Sequence, residues 1–414
     1  MTADSSPGIS LRRNRAFQIL WKSQMLSEFS GELLATMAPL LVIFRGGSET
    51  EVGLTMGATA AALMIMALPA GVIADRLELR MILIVAQTCR LFAVASLSLA
   101  LLFDQFHLAH LVAVMLLEGV LTAVFAPAEH SALSRVVPGA QLRSAIAVNV
   151  GRPFIAALLA PVLAGYAFEF NEALPAGLFV LLILFSLLGL LRLRLPPISI
   201  VGVVGPTESV VNALVAGLRW VLTSPGVRSR LIWMLSANSL LHILIILAVL
   251  GVSGAGGSGS DVGMIMAGIG LGGVLGGLAA PRLVQQVQPG WLLAGLAVAI
   301  SSSAGAVWAV LPTQVWISCC LALAAVLAPA VNAVVVSFVL ESADLSMRGR
   351  ASSAAAFLGN GSSALGPVFG GLAAGVWGVP PVLLAVVVAG ALLALSVVAL
   401  PSVAKPRSSN SEQS

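Results

Sequence analysis

Twelve long apolar runs, joined mostly by short polar connections, fill this chain from residue 17 to residue 400. A membrane-spanning helix needs about 20 mainly apolar residues. Lipid offers a backbone amide no partner, so such runs must satisfy their own amides as helices. The runs lie near 17–44, 52–74, 80–103, 108–135, 141–168 and 173–195, then near 230–252, 261–282, 290–311, 313–340, 350–376 and 379–400. Charged residues make up 9% of the chain; a soluble domain carries roughly 25%. That is too little polar surface for a water-soluble globule. The expected fold is an all-α membrane protein with twelve transmembrane helices. The polar start carries a small basic cluster, and the apolar run after it is too long for a signal-peptide core, so the first span itself is expected to direct insertion.

The arginines orient the chain. Lys and Arg collect on the cytoplasmic side of membrane proteins. With the N-terminus inside, 18 of the 21 basic residues fall on that side, Arg45 lies in an outer loop, and Arg90 and Arg152 fall within spans. Both termini are therefore expected in the cytoplasm. Cys89, Cys319 and Cys320 all sit in apolar runs, where a disulfide or a metal site is not expected.

The chain repeats itself. Glu51-Val52-Gly53-Leu54 matches Asp261-Val262-Gly263-Met264, Ala126-Pro127-Ala128 matches Ala328-Pro329-Ala330, and Leu159-Ala160-Pro161-Val162 with Gly165 matches Leu365-Gly366-Pro367-Val368 with Gly371. The matches keep their order, which predicts two six-helix bundles in parallel orientation, with a substrate site between them near the midplane. The predicted division is 1–195 for the first bundle, 196–229 for a cytoplasmic linker, and 230–414 for the second bundle with a short tail. In the linker Val210, Val211, Leu214, Leu218 and Val221 recur at helical spacing, which predicts an amphipathic helix on the membrane face. Ser253 to Ser260 reads as a flexible outer loop, and the glycines between Gly268 and Gly277 as close helix packing or a flexing element.

Between spans two and three stands Gly71-Val72-Ile73-Ala74-Asp75-Arg76-Leu77-Glu78-Leu79-Arg80. It resembles the G-x-x-x-D-R-x-x-x-R signature of the major facilitator superfamily at its usual place. Glu78 stands where a second Gly is usual. The resemblance implies a conformational latch: Gly71 permits close approach of helices two and eleven, Asp75 caps a helix or faces the end of span eleven, and Arg135 can pair with Asp75, beside Arg76 and Arg80. The segment Gly277 to Arg282 is read as the matching loop of the second half, without an acidic residue. Gln24 to Glu32, Leu133 to Pro138 with Leu142, and Met347 to Arg350 resemble a branch of bacterial exporters that includes the enterobactin exporters and macrolide efflux proteins. The antiporter arginine of the superfamily's span four is not evident, since Met115 stands four residues before Gly119.

Ionisable residues at mid-membrane cost ~2.5–3.5 kcal/mol on insertion scales and are functional candidates by default. Glu28 and Glu32 are four apart in span one and share a face. Glu118, Thr122, Phe125 and Glu129 form one stripe in span four. Asn149 and Arg152 share a face in span five, as do Asn238 and His242 in span seven, and Asn332 and Asn360 add polar points in spans ten and eleven. The resemblance implies that spans one, four, seven and ten line the cavity. A carboxyl alternately exposed to a cation, a substrate or water can bind and release a proton. Glu32 is read as the main proton site, Glu118 as the second, and Arg152 as the modulating charge. A structural Glu–Arg pair is the competing reading for both acids, and a helix interface for Glu28. Structural pairing is the reading for Arg90. For His242 a hydrogen bond to a neighbouring helix competes with proton relay.

No Walker loop, nucleophile constellation or zinc-ligand cluster is present, and the glycine string of span eight follows no strand, so direct ATP drive, dinucleotide binding and enzyme chemistry are not expected, nor is a cofactor or a nucleic-acid partner. The resemblance implies a secondary transporter in a bacterial inner membrane, exporting an amphiphilic small molecule such as a siderophore or drug by proton antiport, as a monomer in the bilayer. A lysophospholipid flippase and a non-transporting receptor or scaffold stand as alternatives.

Overall fold

The structure, a computed structural model, describes residues 11–399 apart from 12, 68, 71, 72, 74–76, 194, 196–209, 311, 312, 345 and 346. Fifteen helices and no strand occur among the described residues. The first seven are α1 (Arg15–Phe44), α2 (Glu49–Met66), α3 (Leu79–Leu102), α4 (Leu108–Val136), α5 (Gly139–Val150), α6 (Arg152–Phe170) and α7 (Leu174–Leu191). Then come α8 (Val210–Thr223), α9 (Pro225–Gly254), α10 (Gly259–Gln286), α11 (Pro289–Val310), α12 (Gln314–Val326), α13 (Ala328–Ser342), α14 (Arg348–Trp377) and α15 (Val379–Ala399).

Among the described residues, ten helices are long and apolar enough to cross a membrane, with α12 and α13 counted as one. Neither α2 nor α14 is among them. Two glutamates in the first turn of α2, and the many Gly and Ser of α14, lower their apolar character.

The helix ends follow from local chemistry. Ser48 caps α2 by accepting from the Glu51 N–H, while Glu51 accepts from the Ser48 N–H at 2.7 Å. Ser258 and Asp261 repeat this box at the start of α10, with the Ser258 N–H donating to Asp261 at 2.8 Å. The repeated Glu51 and Asp261 are thus reciprocal caps, each satisfying an orphan amide. Asn14 accepts from the Phe17 N–H and donates to the Val136 carbonyl at 2.7 Å, tying the start of α1 to the end of α4.

Several sequence expectations change. The predicted fifth span breaks at Gly151 and the tenth at Leu327. Pro153 and Pro329 follow directly, and proline has no N–H to continue the ladder. The Ser253 to Ser260 loop shrinks to a turn, since α9 runs to Gly254 and α10 starts at Gly259. Gly256, at φ +84°, makes that turn. Residues 277–282 are not a loop: α10 continues through Pro281 to Gln286. The segment around Val210 does fold as a helix, α8, docked on α14 through Gly217 and the Arg350 carbonyl.

Packing repeats with the sequence. In the first group α1 packs on α6 and α7, α2 on α4, and α3 on α4 and α7. In the second, α9 packs on α14 and α15, α10 on α12, and α11 on α12 and α15. The groups meet through two equivalent pairs, α2 with α14 and α6 with α10. A Cβ on Gly53 would lie 3.0 Å from Gly371 Cα, and a Cβ on Gly263 would lie 3.2 Å from Gly165 Cα. The repeated Pro-Val and Gly motifs therefore meet each other in pairs, because only small residues let two membrane helices approach so closely. The glycine string of α10 serves two neighbours. Gly268, Gly272 and Gly276 face α12, while Gly263, Gly270, Gly273 and Gly277 face α6.

At one end of this seam the Glu169 carboxylate of α6 accepts from the Ser260 N–H at 2.8 Å. A side chain of the first group thus caps a helix of the second. At the centre stand α1 and α9, whose Leu40, Leu41, Leu244, Ile246 and Leu247 are fully buried.

Candidate functional site

A cavity of about 260 Å³ opens inside the first group of helices. From α1 it takes Gln24, Ser27, Glu28, Gly31 and Glu32, a face recurring every three or four residues. From α4 it takes Met115, Glu118, Thr122 and Phe125 at the same period. Thr59 of α2, Arg90 of α3 and Pro153 of α6 line it as well.

One side is a closed polar network. Arg90 Nε donates to Glu118 Oε2 at 2.8 Å and Arg90 Nη2 to Glu118 Oε1, a two-pronged pair. Arg90 Nη1 donates to Ser27 Oγ and, at 3.1 Å, to Gln87. Gln87 in turn donates to Ser186 at 2.8 Å, and Ser186 and Ser23 share a 2.6 Å bond. The guanidinium also lies 5.7 Å from the Phe179 ring centroid. Arg90 and Glu118 are both buried, and nearly every polar group around them is matched.

The other side is not matched. Arg152 reaches Glu129 at 3.5 Å and Glu28 at 3.4 Å, both at the outer limit of a hydrogen bond. Two carboxylates thus share one guanidinium. Glu28 Oε2, Gln24 Oε1, Arg152 Nε and both side-chain atoms of Asn149 are buried without a hydrogen-bond partner. Glu32 lines the cavity, and its carboxylate makes no hydrogen bond or ion pair with a described residue. Around the cavity four carboxyls (Glu28, Glu32, Glu118, Glu129) therefore face two guanidiniums (Arg90, Arg152).

The sequence candidates separate accordingly. Glu28, Glu32, Glu118, Thr122 and Phe125 meet at the cavity, with Glu129, Asn149 and Arg152 behind it. Arg152 does not reach Glu32 or Glu118. The partner of Glu118 is Arg90, 28 positions earlier. Asn238, His242, Asn332 and Asn360 do not line this cavity. His242 Nδ1 bonds the Asn238 carbonyl one turn back in its own helix, at 2.7 Å, rather than a neighbouring helix. Gly366 packs against the same His242.

The expected latch lies largely outside the described residues, which omit Gly71, Asp75 and Arg76. Arg135 closes the last turn of α4, and Arg80 donates to the Leu191 carbonyl at 2.8 Å. Gln24, Ser27 and Gln87 were not singled out from sequence. The first two share the Glu28–Glu32 face, a signal that was present.

Comparison with known proteins gives a consistent picture. A family model for the Major Facilitator Superfamily matches residues 20–367. The enterobactin exporter EntS of Salmonella typhimurium is 28% identical over 332 residues, covering 76% of this chain and 74% of that protein. EntS of Shigella flexneri is 26% identical over 291 residues, covering 68% and 67%. Among solved structures, the nucleoside transporter NupG superposes with a TM-score of 0.77 at 14% identity, over 93% of this chain and 99% of that one. An inward-facing, occupied bacterial homolog of the human lysosomal transporter Spinster gives 0.69 at 15% identity, over 97% and 100%.

Proposed function

The chain belongs to the Major Facilitator Superfamily, and from that premise we propose that it exports an amphiphilic small molecule from a bacterial cytoplasm by proton antiport. It is a multi-pass membrane transporter. In this reading twelve spans form two six-helix bundles, residues 1–195 and 230–414, joined by a cytoplasmic linker at 196–229, with both termini cytoplasmic in the inner membrane. The basic residues support that orientation. Relatives named as enterobactin exporters support a siderophore-like cargo and the outward direction.

The observation that carries proton coupling is the excess of carboxyls over guanidiniums around one cavity. Glu118 is matched one to one by Arg90 and serves as structure. Glu28 and Glu129 divide Arg152 between them, and Glu32 has no cation partner among the described residues. Uncompensated charge in a low-dielectric site must be met by a proton or another cation. Glu32 is therefore the first proton site, and the Glu28–Arg152–Glu129 cluster the second. Thr122, Phe125 and Asn149 offer polar and aromatic contacts to cargo, and Asn238, His242, Asn332 and Asn360 face it from the other bundle later in the cycle. The Gly53–Gly371 and Gly165–Gly263 contacts close the outer end, and the loop of Gly71, Asp75, Arg76 and Arg80 with Arg135 latches the inner end in the opposite state.

The test is uptake into inverted membrane vesicles, with and without an imposed pH gradient, using a panel of siderophores and drugs. Gradient-driven accumulation is expected for the wild type and is lost in Glu32→Gln. Accumulation indifferent to both the gradient and the substitution sinks proton antiport and turns attention to lipid cargo.

A further inference from the structure

Away from the central cavity, three arginines from three helices converge. Arg15 opens α1, Arg80 lies in the first turn of α3 and Arg192 follows the end of α7. With Ala16, Ile19 and Leu191 they line a second cavity of about 810 Å³. No carboxylate lines it among the described residues. The side chains of Arg15 and Arg192 make no hydrogen bond or ion pair with a described residue, and Arg80 Nε is buried without a partner. A preference for basic residues on the cytoplasmic side explains three arginines near span ends. It does not explain why they face one hollow from three separate helices with no carboxylate beside them among the described residues.

Like charges held together repel, and a planar guanidinium fork matches the oxygens of a phosphate. The hollow falls within the size range of small-ligand sites. Among the described residues the rest of its wall is Ala16, Ile19 and Leu191, an apolar surface that suits the start of a lipid's acyl chains. Basic pockets between transmembrane helices at the cytoplasmic face take anionic headgroups.

We propose that the Arg15–Arg80–Arg192 cavity binds the phosphate of an anionic phospholipid headgroup from the cytoplasmic leaflet. The assignment to that leaflet rests on the orientation proposed above; the binding chemistry does not. An occupied site ties α1, α3 and α7 together at one end, where Arg80 already links α3 to α7 through the Leu191 carbonyl.

The test uses the full chain purified in neutral detergent, so it reads neither transport nor orientation and cannot fail through the antiport reading. Phosphatidylglycerol, phosphatidylcholine and inorganic phosphate are titrated separately, and retention by native mass spectrometry is read beside the unfolding midpoint. Phosphatidylglycerol is expected to be retained and to raise the midpoint, while phosphatidylcholine does neither. In the double variant Arg15→Gln/Arg192→Gln, phosphatidylglycerol affinity falls about thirtyfold, from the attraction of two surface cations. An unchanged midpoint in phosphatidylcholine shows that this variant is folded. If it does not fold, Arg15→Gln and Arg192→Gln singly should each weaken binding about fivefold. Equal phosphatidylglycerol binding by wild type and variants overturns the site. Binding of inorganic phosphate as strong as that of phosphatidylglycerol overturns the lipid as its source.

Discussion

Removing one member of the Arg90–Glu118 pair should destabilise the protein far more than removing both. The two side chains are 4% and 6% exposed, and Arg90 spends two of its hydrogen bonds on Glu118 and the others on Ser27 and Gln87. Breaking a buried pair by deleting one partner costs about 3–5 kcal/mol, while replacing both with apolar groups of similar volume is often neutral. The two single variants also differ. In Arg90→Met the stranded carboxyl can discharge by taking up a proton. In Glu118→Met the stranded guanidinium cannot lose one. Glu118→Met is therefore the costlier, at about 3–5 kcal/mol, with Arg90→Met below it. In Arg90→Met/Glu118→Met the cost falls below that of either single variant, and so well below their sum. Reversible unfolding in lipid or detergent gives the four corners of this cycle. The double variant should also keep gradient-driven transport. Additive single costs, or a stable double variant that has lost coupling, would refute a structural role and return Glu118 to the proton path.

Other consequences follow from the seam and the loops. Glu169→Ala removes the cap on Ser260 and should cost about 0.5–2 kcal/mol of the closed state. Spin labels at Asn171 and Ala255 would then report a larger population of long distances; an unchanged distribution would show that the cap does not hold the seam. Gly263→Val drives a side chain against the Pro161 carbonyl and should cost about 1–3 kcal/mol, visible as a lower unfolding midpoint, whereas a neutral result would mean that α6 and α10 yield freely. Arg45 bonds Glu172 and the more exposed Asp104; these carboxylates hold its guanidinium above the usual range. The pair is solvent-facing, with Asp104 80% exposed, so Arg45→Ala should change stability by less than about 1 kcal/mol, and that small effect should vanish in high salt.

Much of the fold was legible in the sequence because hydrophobic length and glycine position are local properties. The all-helical membrane architecture came from runs of apolar residues, and the internal repeat from short motifs at matching places. The Gly53 and Gly263 motifs carried more than symmetry. Each marks a helix that must touch another backbone, which is why no side chain fits there. Hydrophobic length misleads where proline and capping act against it. The fifth and tenth runs look continuous, yet Pro153 and Pro329 break them, and Ser258 with Asp261 turns an apparent Gly-Ser loop into a helix start.

The site shows the same division. One sequence alone placed Glu28 and Glu32 on one face of α1, and Glu118, Thr122 and Phe125 on one face of α4, because helical periodicity assigns faces without a partner. It could not assign the cations. Arg90 in span three and Arg152 in span five both lie within apolar runs, and nothing local says which acid each will meet. Packing of α3 against α4 brings Arg90 to Glu118, and packing of α1 against α6 brings Arg152 to Glu28. Which carboxyls are neutralised and which remain open is thus decided by contacts between helices, since charge pairing depends on distance through space and not along the chain.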